Sequence, residues 1–265
     1  MGHPDTETLG RYLVVRRAGR RDVVPGGVPR LPGEAPVAHV RSYVVRTRDG
    51  EDRQLRQLHL LEPSPSTLAV VRRGVERYGA LRHPALSPLL DCFELDGQLA
   101  LVFAREEGVG LDRLKGYLDR DRERLPDAAV WFVGWQLAGA FAVSHLARDD
   151  AGALAPLVHG ALTMQDVLIR WDGAVRVEGL CPFLGPPPGG HGSREGAPSR
   201  LWLAPEVRRA EPPTPQSDVY AVALILRALL SGRAPPSPGA ESERIATLRP
   251  DIPGDVAEAL DRALD

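Results

Sequence analysis

The chain has 265 residues, enough for one large domain or two small ones with a substantial core. Its 33 basic and 35 acidic side chains nearly cancel, so no overall charge attracts nucleic acid or an anionic membrane. Two widely separated cysteines, Cys92 and Cys181, argue against a disulfide framework and a zinc motif and favour a reduced, cytoplasmic chain.

The first hundred residues predict a mostly antiparallel sheet with one helix inserted. The Asp96-Gly97 pair between two alternating apolar segments is typical of a β-hairpin turn. Residues 18–38 are rich in proline and glycine, which predicts irregular structure. Between these two regions the apolar pattern predicts two strands and a helix, over residues 37–47, 53–61 and 67–82.

The rest of the chain predicts mainly helices with one embedded hairpin. A long apolar helix opens at Pro126, and its polar interruptions favour a buried core helix over a membrane span. Asp172 and Gly173 predict the turn of the hairpin. Residues 185–199 are too rich in proline and glycine for regular structure and predict a mobile surface loop. Residues 216–233 are apolar on nearly every side, which indicates a second buried helix.

This order of elements, together with several local motifs, resembles the protein kinase fold over about residues 40–265. "LRHPALSPLLDCFELDGQLALVFAREEGVGL" is similar to the stretch from the small-lobe helix through the hinge. "LAPEV", residues 203–207, matches the Ala-Pro-Glu that closes an activation segment, and "SDVYAVALILRALLSGRAPP" is similar to a large-lobe helix. The chain resembles bacterial Ser/Thr kinases in these motifs, and the resemblance implies an α+β, bilobal fold. Residues 1–104 would form a β-rich N-lobe with one helix, and residues 105–265 a mainly helical C-lobe.

The phosphate-binding positions implied by this resemblance are altered. Residues 18–38 lack the Gly-x-Gly-x-x-Gly spacing of a phosphate-covering loop. "RQLR" takes the place of Val-Ala-x-Lys, so Arg56 stands where a lysine would bind phosphates. The glutamate that pairs with this lysine corresponds to Gly74, and the nearby Glu76 is expected to face solvent. Both ends of the ion pair are therefore missing.

The catalytic loop, His-Arg-Asp-Leu-Lys-x-x-Asn, corresponds to residues 159–166. His159 is kept, and Gly160 replaces the arginine. Ala161 replaces the catalytic aspartate, Thr163 the lysine and Asp166 the asparagine. The resemblance therefore implies a loop without a base.

The metal-binding Asp-Phe-Gly triplet is replaced by Gly179-Leu180-Cys181. A shift of one residue would bring Glu178 to the metal position, but the fixed hairpin turn and the strand alternation argue against that shift. Asp166 and Glu178 alone make a poor magnesium site, so a solvated loop acid is the preferred interpretation of Asp166.

The lysine count supports the same conclusion independently of the alignment. The 33 basic residues are 32 arginines and one lysine, Lys115, which lies between the predicted lobes, and the chain has no asparagine. A kinase site needs two lysines and one asparagine, which this chain cannot supply. The arginine-rich composition also suggests a high-GC, bacterial genome.

Several structural positions of the fold are retained. The regulatory column of stacked side chains would consist of Tyr78, Leu89, His159 and Leu180, with His159 a packed core histidine and not a base. Asp218 is expected to be buried and to bond backbone amides of the catalytic loop.

Glu206 matches the buried glutamate of Ala-Pro-Glu, which in kinases pairs with an arginine beyond the last large-lobe helix. The sequence ends inside "GDVAEALDRALD", before such an arginine occurs. A buried carboxylate without a partner is costly. Arg233, Arg249 and Arg262 are candidate substitutes, but each lies earlier in the chain than the kinase pattern places the pair. The expectation is a C-lobe truncated at its last helices, or one rebuilt without that pair.

These observations predict a pseudokinase that acts by binding another protein in signalling, with no cofactor and no use of Mg-ATP. Two alternatives stay open: an unorthodox enzyme that binds a nucleotide in the kinase cleft, and a nucleic-acid-binding module, which the charge balance disfavours. No membrane insertion is expected of this chain.

Overall fold

The computed structural model describes residues 7–23, 38–48, 54–63, 65–177, 199–209, 211–236 and 243–265. A curled antiparallel sheet with one helix forms the N-terminal part, and a mainly helical lobe with a small sheet follows. This arrangement confirms the expected α+β, two-lobed fold.

Six strands form the N-terminal sheet, in the order β1-β2-β3-β4-β6-β5. The sheet curls until its two edges meet, because Arg11 Nη2 and the Tyr12 hydroxyl donate to Asp91 Oδ2 at 2.6 and 2.9 Å. A small apolar core that includes Leu58 and Leu60 fills the inside of the curl. The strands are β1 (Thr8–Leu9), β2 (Tyr12–Val23), β3 (Ala38–Thr47), β4 (Arg56–Pro63), β5 (Leu89–Leu95) and β6 (Gln98–Ala104).

The strand β2 corrects the expectation of irregular structure over residues 18–38. Residues 19–23 pair with β3, and Ala38 begins β3 itself. Gly19 falls at the second of two register shifts between these strands, where a bulge absorbs an extra residue and pairing continues. Residues 24–37, the remainder of that segment, lie outside the described residues.

Helix α1 (Pro65–Ala80) begins and ends two residues before its predicted limits. The hairpin of β5 and β6 turns at Asp96 and Gly97, whose φ angles are 50° and 76°. Two consecutive left-handed residues define the type I′ turn that the sequence predicted. Val71, Val75 and Tyr78 of α1 join a second, larger apolar core, which continues into the C-terminal lobe.

The C-terminal lobe is built around two long helices, as the sequence predicted. Its small antiparallel sheet has the order β7-β8-β9. Near the middle of the first long helix, a Cβ on Gly134 would lie 2.9 Å from Leu226 Cδ1, so glycine permits the close approach of the two helices. The elements are β7 (Gly108–Gly110), α2 (Leu111–Asp121), α3 (Asp127–His145), β8 (Val167–Arg170), β9 (Val175–Val177), α4 (Pro205–Arg208), α5 (Pro215–Ser231), α6 (Ile245–Leu248) and α7 (Gly254–Arg262).

The loop predicted as mobile, residues 185–199, lies outside the described residues except for Ser199. That residue begins a short 3-10 helix, Ser199–Trp202. The expectation about the loop therefore stays a prediction.

Candidate functional site

Asp218, in the first turn of α5, organises the segment that corresponds to the catalytic loop. Its side chain is fully buried and accepts hydrogen bonds from the backbone N–H groups of His159 and Gly160, at 2.9 and 2.7 Å. Nε2 of His145, at the end of α3, lies 2.8 Å from Oδ2 of the same carboxylate. Gly160 has φ +76°, a left-handed conformation that favours glycine over the arginine of the kinase pattern.

Asp166 and Thr163 form a local cap on the short 3-10 helix Met164–Asp166. Asp166 Oδ2 accepts from the backbone N–H and the hydroxyl of Thr163, at 2.8 and 2.9 Å. The Thr163 hydroxyl also accepts from the backbone N–H of Gln165 at 3.2 Å. Asp166 is only 1% exposed, which corrects the interpretation as a solvated loop acid. A carboxylate can be buried here because these donors satisfy it.

Ala161, at the position of the catalytic base, is half-buried and carries only a methyl group. Among the described residues no group of three or more histidine, cysteine, aspartate or glutamate side chains is placed to hold a metal ion. The residues at the metal-binding triplet, including Gly179 and Leu180, lie outside the described part of the chain. Their predicted roles are therefore not tested by the geometry.

The register of β4 corrects the position given to Arg56. Arg56 shares a face of the sheet with Leu58 and Leu60, whose side chains fill the curl. The opposite face carries Leu61, which packs in the core with α1. Strand alternation places His59 on that face, so His59 and not Arg56 occupies the side of β4 from which a lysine would reach a helix glutamate.

His59 was missed in the sequence because "RQLR" was aligned by its terminal arginine. The alternation of Leu58 and Leu60 in the sequence indicates His59, because a strand with both leucines on one face places the residue between them on the other face. In the structure His59 Nδ1 lies 2.8 Å from the hydroxyl of Ser42. Its ring meets Phe103 edge-on, with centroids 5.8 Å apart. With this register, Gln57 stands where the kinase pattern has alanine.

Gly74 lies on the buried side of α1, within the run of inward-facing Val71, Val75 and Tyr78. A glutamate at this position would project toward the sheet, so glycine removes the acidic partner from the side that faces β4. Glu76 is exposed, as the sequence predicted.

Three members of the expected column of stacked side chains are described. Tyr78 is buried, donates its hydroxyl to the Ser87 carbonyl at 2.6 Å and meets Phe103 edge-on at 5.8 Å. Leu89 is half-buried. His159 is 6% exposed, and its Nδ1 lies 3.3 Å from the Ala161 backbone N–H. Because that nitrogen accepts a hydrogen bond and the ring is buried, His159 serves as a core histidine here.

Glu206 is half-buried, which corrects the expectation that it is buried and needs an arginine. The hydroxyl of Ser217 donates to its Oε1 at 2.5 Å. Two of the three arginines named as substitutes have other acids as partners: Arg233 pairs with Glu243, and Arg249 pairs with Asp127. Partial exposure and one short hydrogen bond are sufficient, since water can solvate the rest of the carboxylate.

Replacing Ser217 by alanine is expected to lower the free energy of unfolding by roughly 1–3 kcal/mol. Ser217 is 2% exposed, and its hydroxyl accepts from the Thr214 backbone N–H at 2.9 Å and donates to Glu206, so its loss removes two hydrogen bonds. Urea unfolding followed by circular dichroism measures the effect. Ser231→Ala on the same helix is the control, because its hydroxyl also makes two hydrogen bonds, to the Arg227 carbonyl and from the Arg233 backbone N–H, but at a half-buried position where water can replace them. Equal losses in the two variants would contradict the prediction.

The single lysine lies away from these positions. Nζ of Lys115, on α2, pairs with Asp119 at 2.6 Å and donates to the Gly232 carbonyl at 3.3 Å. Among the described residues, no helix combines the length and the apolar character that crossing a bilayer requires.

Comparison with solved structures identifies the fold. The kinase domain of Mycobacterium tuberculosis PknI superposes with a TM-score of 0.62 at 21% identity, over 100% of this chain and 91% of that domain. The chain therefore has the protein kinase-like fold, with a β-rich N-lobe and a helical C-lobe. No protein family model matches the sequence.

Curated relatives are serine/threonine kinases and a receptor-like kinase. The chain is 30% identical over 189 residues to serine/threonine-protein kinase PkaB of Streptomyces coelicolor, covering 66% of this chain and 42% of that protein. It is 27% identical over 177 residues to serine/threonine-protein kinase 36 of Pongo abelii, covering 65% of this chain and 12% of that one. A leucine-rich repeat receptor-like protein kinase of Arabidopsis thaliana, whose name gives its activity as doubtful, is 28% identical over 178 residues. That match covers 65% of this chain and 21% of the relative, so the chain spans less than half of each of these proteins.

Proposed function

We propose that the chain is a catalytically inactive protein kinase-like domain, a pseudokinase, which regulates or scaffolds another protein in signalling. The observation that carries the proposal is the side of β4 that faces α1. This side presents His59 where a kinase presents lysine, and the helix position that would pair with it is Gly74.

An imidazole at this site is a poor substitute for the lysine. Lysine reaches phosphate as a flexible point charge on four methylenes, whereas the His59 ring is short and flat. Its Nδ1 is already within hydrogen-bond distance of Ser42, and its ring is packed against Phe103. Phosphoryl transfer depends on positioning and on cationic clamps, so this replacement supports a loss of phosphate binding.

The catalytic loop supports the same proposal. The Ala161 methyl group cannot accept a proton from a substrate hydroxyl. Asp166 is buried, with its Oδ2 bonded to Thr163, which leaves it poorly placed to act as a base in place of the missing aspartate. The name of the Arabidopsis thaliana relative describes that protein as "probably inactive", which supports the proposal by analogy.

An exposed apolar face on α3 supports a role in protein contacts. No charged side chain occurs between Asp127 and His145, the two ends of the helix. Phe132 and Trp135 are 42% and 69% exposed, and their rings lie 6.0 Å apart. Aromatic side chains are more frequent in protein–protein interfaces than on the rest of a protein surface. We call this pair of residues the α3 surface.

ATP with magnesium is expected to leave the melting temperature unchanged to within about 1 °C, because a ligand that does not bind cannot stabilise by mass action. A ligand at 100 times its dissociation constant stabilises by ~2.7 kcal/mol, which moves the melting temperature by several degrees. Differential scanning fluorimetry with millimolar ATP, alone and with magnesium or manganese, measures the shift.

Pyrophosphate serves as the control for general anion binding in the same experiment. A small shift that needs no metal and is equal for ATP and pyrophosphate reflects binding of an anion to arginine side chains and leaves the proposal intact. A shift of several degrees that requires the metal would contradict it and favour a nucleotide-dependent enzyme.

A further inference from the structure

A pocket of about 580 Å³ opens between the end of α1, the loop that leads to β5, and Arg176 of β9. We propose that this pocket, the α1–β5 pocket, binds a small organic anion: a molecule with an apolar body and one carboxylate, sulfonate or phosphate group. It contains none of the positions that correspond to phosphate-binding or catalytic residues. The proposal is therefore independent of whether the kinase cleft binds a nucleotide.

The floor of the α1–β5 pocket is apolar. Tyr78 and Leu86 are buried, and Leu81 and Leu89 are half-buried. The volume lies within the range of roughly 300–1,000 Å³ that is usual for small-molecule sites. An apolar body of one or two rings fits this space and would gain from covering these side chains.

Arg176 supplies a fixed cation at one side of the pocket. Its Nε donates to Glu106 Oε1 at 3.0 Å, and its Nη1 donates to the Pro84 carbonyl. The side chain is 16% exposed. Nη1 also donates to the Val175 carbonyl at 3.4 Å, and Nη2 makes no hydrogen bond to a described residue. The remaining donors are therefore available to a ligand.

Arg82 supplies a second cation from the end of α1. Its Nη1 donates to the carbonyls of Gly79 and Leu81 at 2.6 and 2.7 Å, which caps the helix and fixes the side chain. The guanidinium is exposed at the pocket rim. Arginine forks bind planar oxyanions with two parallel hydrogen bonds, so carboxylate and sulfonate groups suit them well.

The lining has two arginines and no acid. Glu106, behind Arg176, pairs with that arginine and with Arg170, so it neutralises only part of the local positive charge. The positive potential is also felt by His83, whose pKa is lowered by burial and by the charge of Arg176. Its Nδ1 accepts from the Ala85 backbone N–H at 3.1 Å, so that nitrogen is not a donor for an anion.

A ligand that contacts both arginines would connect two parts of the fold. Arg82 belongs to the end of α1, whereas Arg176 belongs to β9 of the C-terminal lobe. An anion between them would hold the end of α1 against the C-terminal lobe. The site therefore has the position of a regulatory site for partner binding.

The test uses 8-anilino-1-naphthalenesulfonate, a fluorescent anion with an apolar body, and its uncharged relative N-phenyl-1-naphthylamine. The wild-type chain is expected to bind the sulfonate saturably and to prefer it to the uncharged dye. Arg82→Gln is expected to weaken sulfonate binding about tenfold and to abolish this preference. Arg82→Lys keeps the charge without the forked guanidinium, so its affinity for the sulfonate should lie between those of the wild type and Arg82→Gln.

Gly79→Leu fills the pocket and is expected to abolish binding of both dyes. A Cβ at Gly79 would lie 3.5 Å from Leu89 Cδ2, an ordinary contact, so the larger side chain extends into the pocket. If Gly79→Leu has a lower melting temperature than the wild type, the test rests on dye binding by Arg82→Gln, whose side chain is exposed. The control, Phe132→Ser with Trp135→Ser, removes the α3 surface and should bind the sulfonate as the wild type does.

Three results would overturn the proposal. The wild type shows no saturable sulfonate binding, or Arg82→Gln binds as tightly as the wild type, or the signal disappears only in the control that lacks the α3 surface. The last result would assign the dye to that surface instead.

Discussion

Replacing Asp218 by alanine is expected to lower the free energy of unfolding by about 3–5 kcal/mol, since each buried N–H left without an acceptor costs ~1–3 kcal/mol. The carboxylate is fully buried and accepts from the backbone N–H groups of His159 and Gly160. It also lies 2.8 Å from Nε2 of His145. His159 and Gly160 are buried as well, so bulk water does not reach these N–H groups in the folded chain. Urea unfolding followed by circular dichroism measures the loss.

Asp149 provides a matched control for this measurement. Its Oδ1 also accepts from two backbone N–H groups, those of Ala151 and Ala153, at 3.0 and 2.9 Å. Asp149 is exposed, so water can take over both hydrogen bonds after Asp149→Ala, and the expected loss is within about 1 kcal/mol. A loss for Asp218→Ala no larger than the loss for Asp149→Ala would show that the buried carboxylate does not organise the loop.

Elements with local causes could be predicted from the sequence. The turn at Asp96 and Gly97 needs two left-handed residues, which this dipeptide adopts readily, so the hairpin was evident before the structure. The helix α5 is apolar on nearly all sides, and that pattern suits only a buried helix. In both cases the deciding interactions lie within a few residues of one another.

Elements that depend on distant partners could not be predicted in the same way. β2 continues through Gly19 and a run of arginines because β3 supplies a pairing partner and a bulge absorbs the extra residue. Asp166 is a different case, because its donor Thr163 lies only three residues away and the Thr-x-x-Asp capping pattern in the sequence was a local signal for its burial. The residue of β4 that faces α1 could have been predicted, since Leu58 and Leu60 define the opposite face. Alignment to the kinase motif instead placed Arg56 at that position.

Phosphotransfer by the Ala161→Asp variant is expected to stay at background level. The substitution restores a carboxylate at the position of the catalytic base, yet His59 and Gly74 leave the phosphate without its ion-paired lysine. Catalytic groups that act as a unit are strongly non-additive, so one restored member contributes little while the others are missing. Incorporation of radiolabelled phosphate from ATP, with magnesium and with manganese, measures activity.

A graded series separates the restored base from the missing clamp. The double variant His59→Lys with Ala161→Asp adds the cation, and a triple variant with Gly74→Glu adds its acidic partner on the inner side of α1. Phosphotransfer by both is also expected at background level, because Gly179 stands in place of the Asp-Phe-Gly aspartate. Gly74→Glu places a charge on a buried face. If the triple variant has a lower melting temperature than the wild type, the result of the double variant decides. Ala161→Asn is the control for the base. Labelling by Ala161→Asp that disappears in Ala161→Asn would mean that an aspartate at this position finds a functional phosphate site, and the assignment as a pseudokinase would then fail.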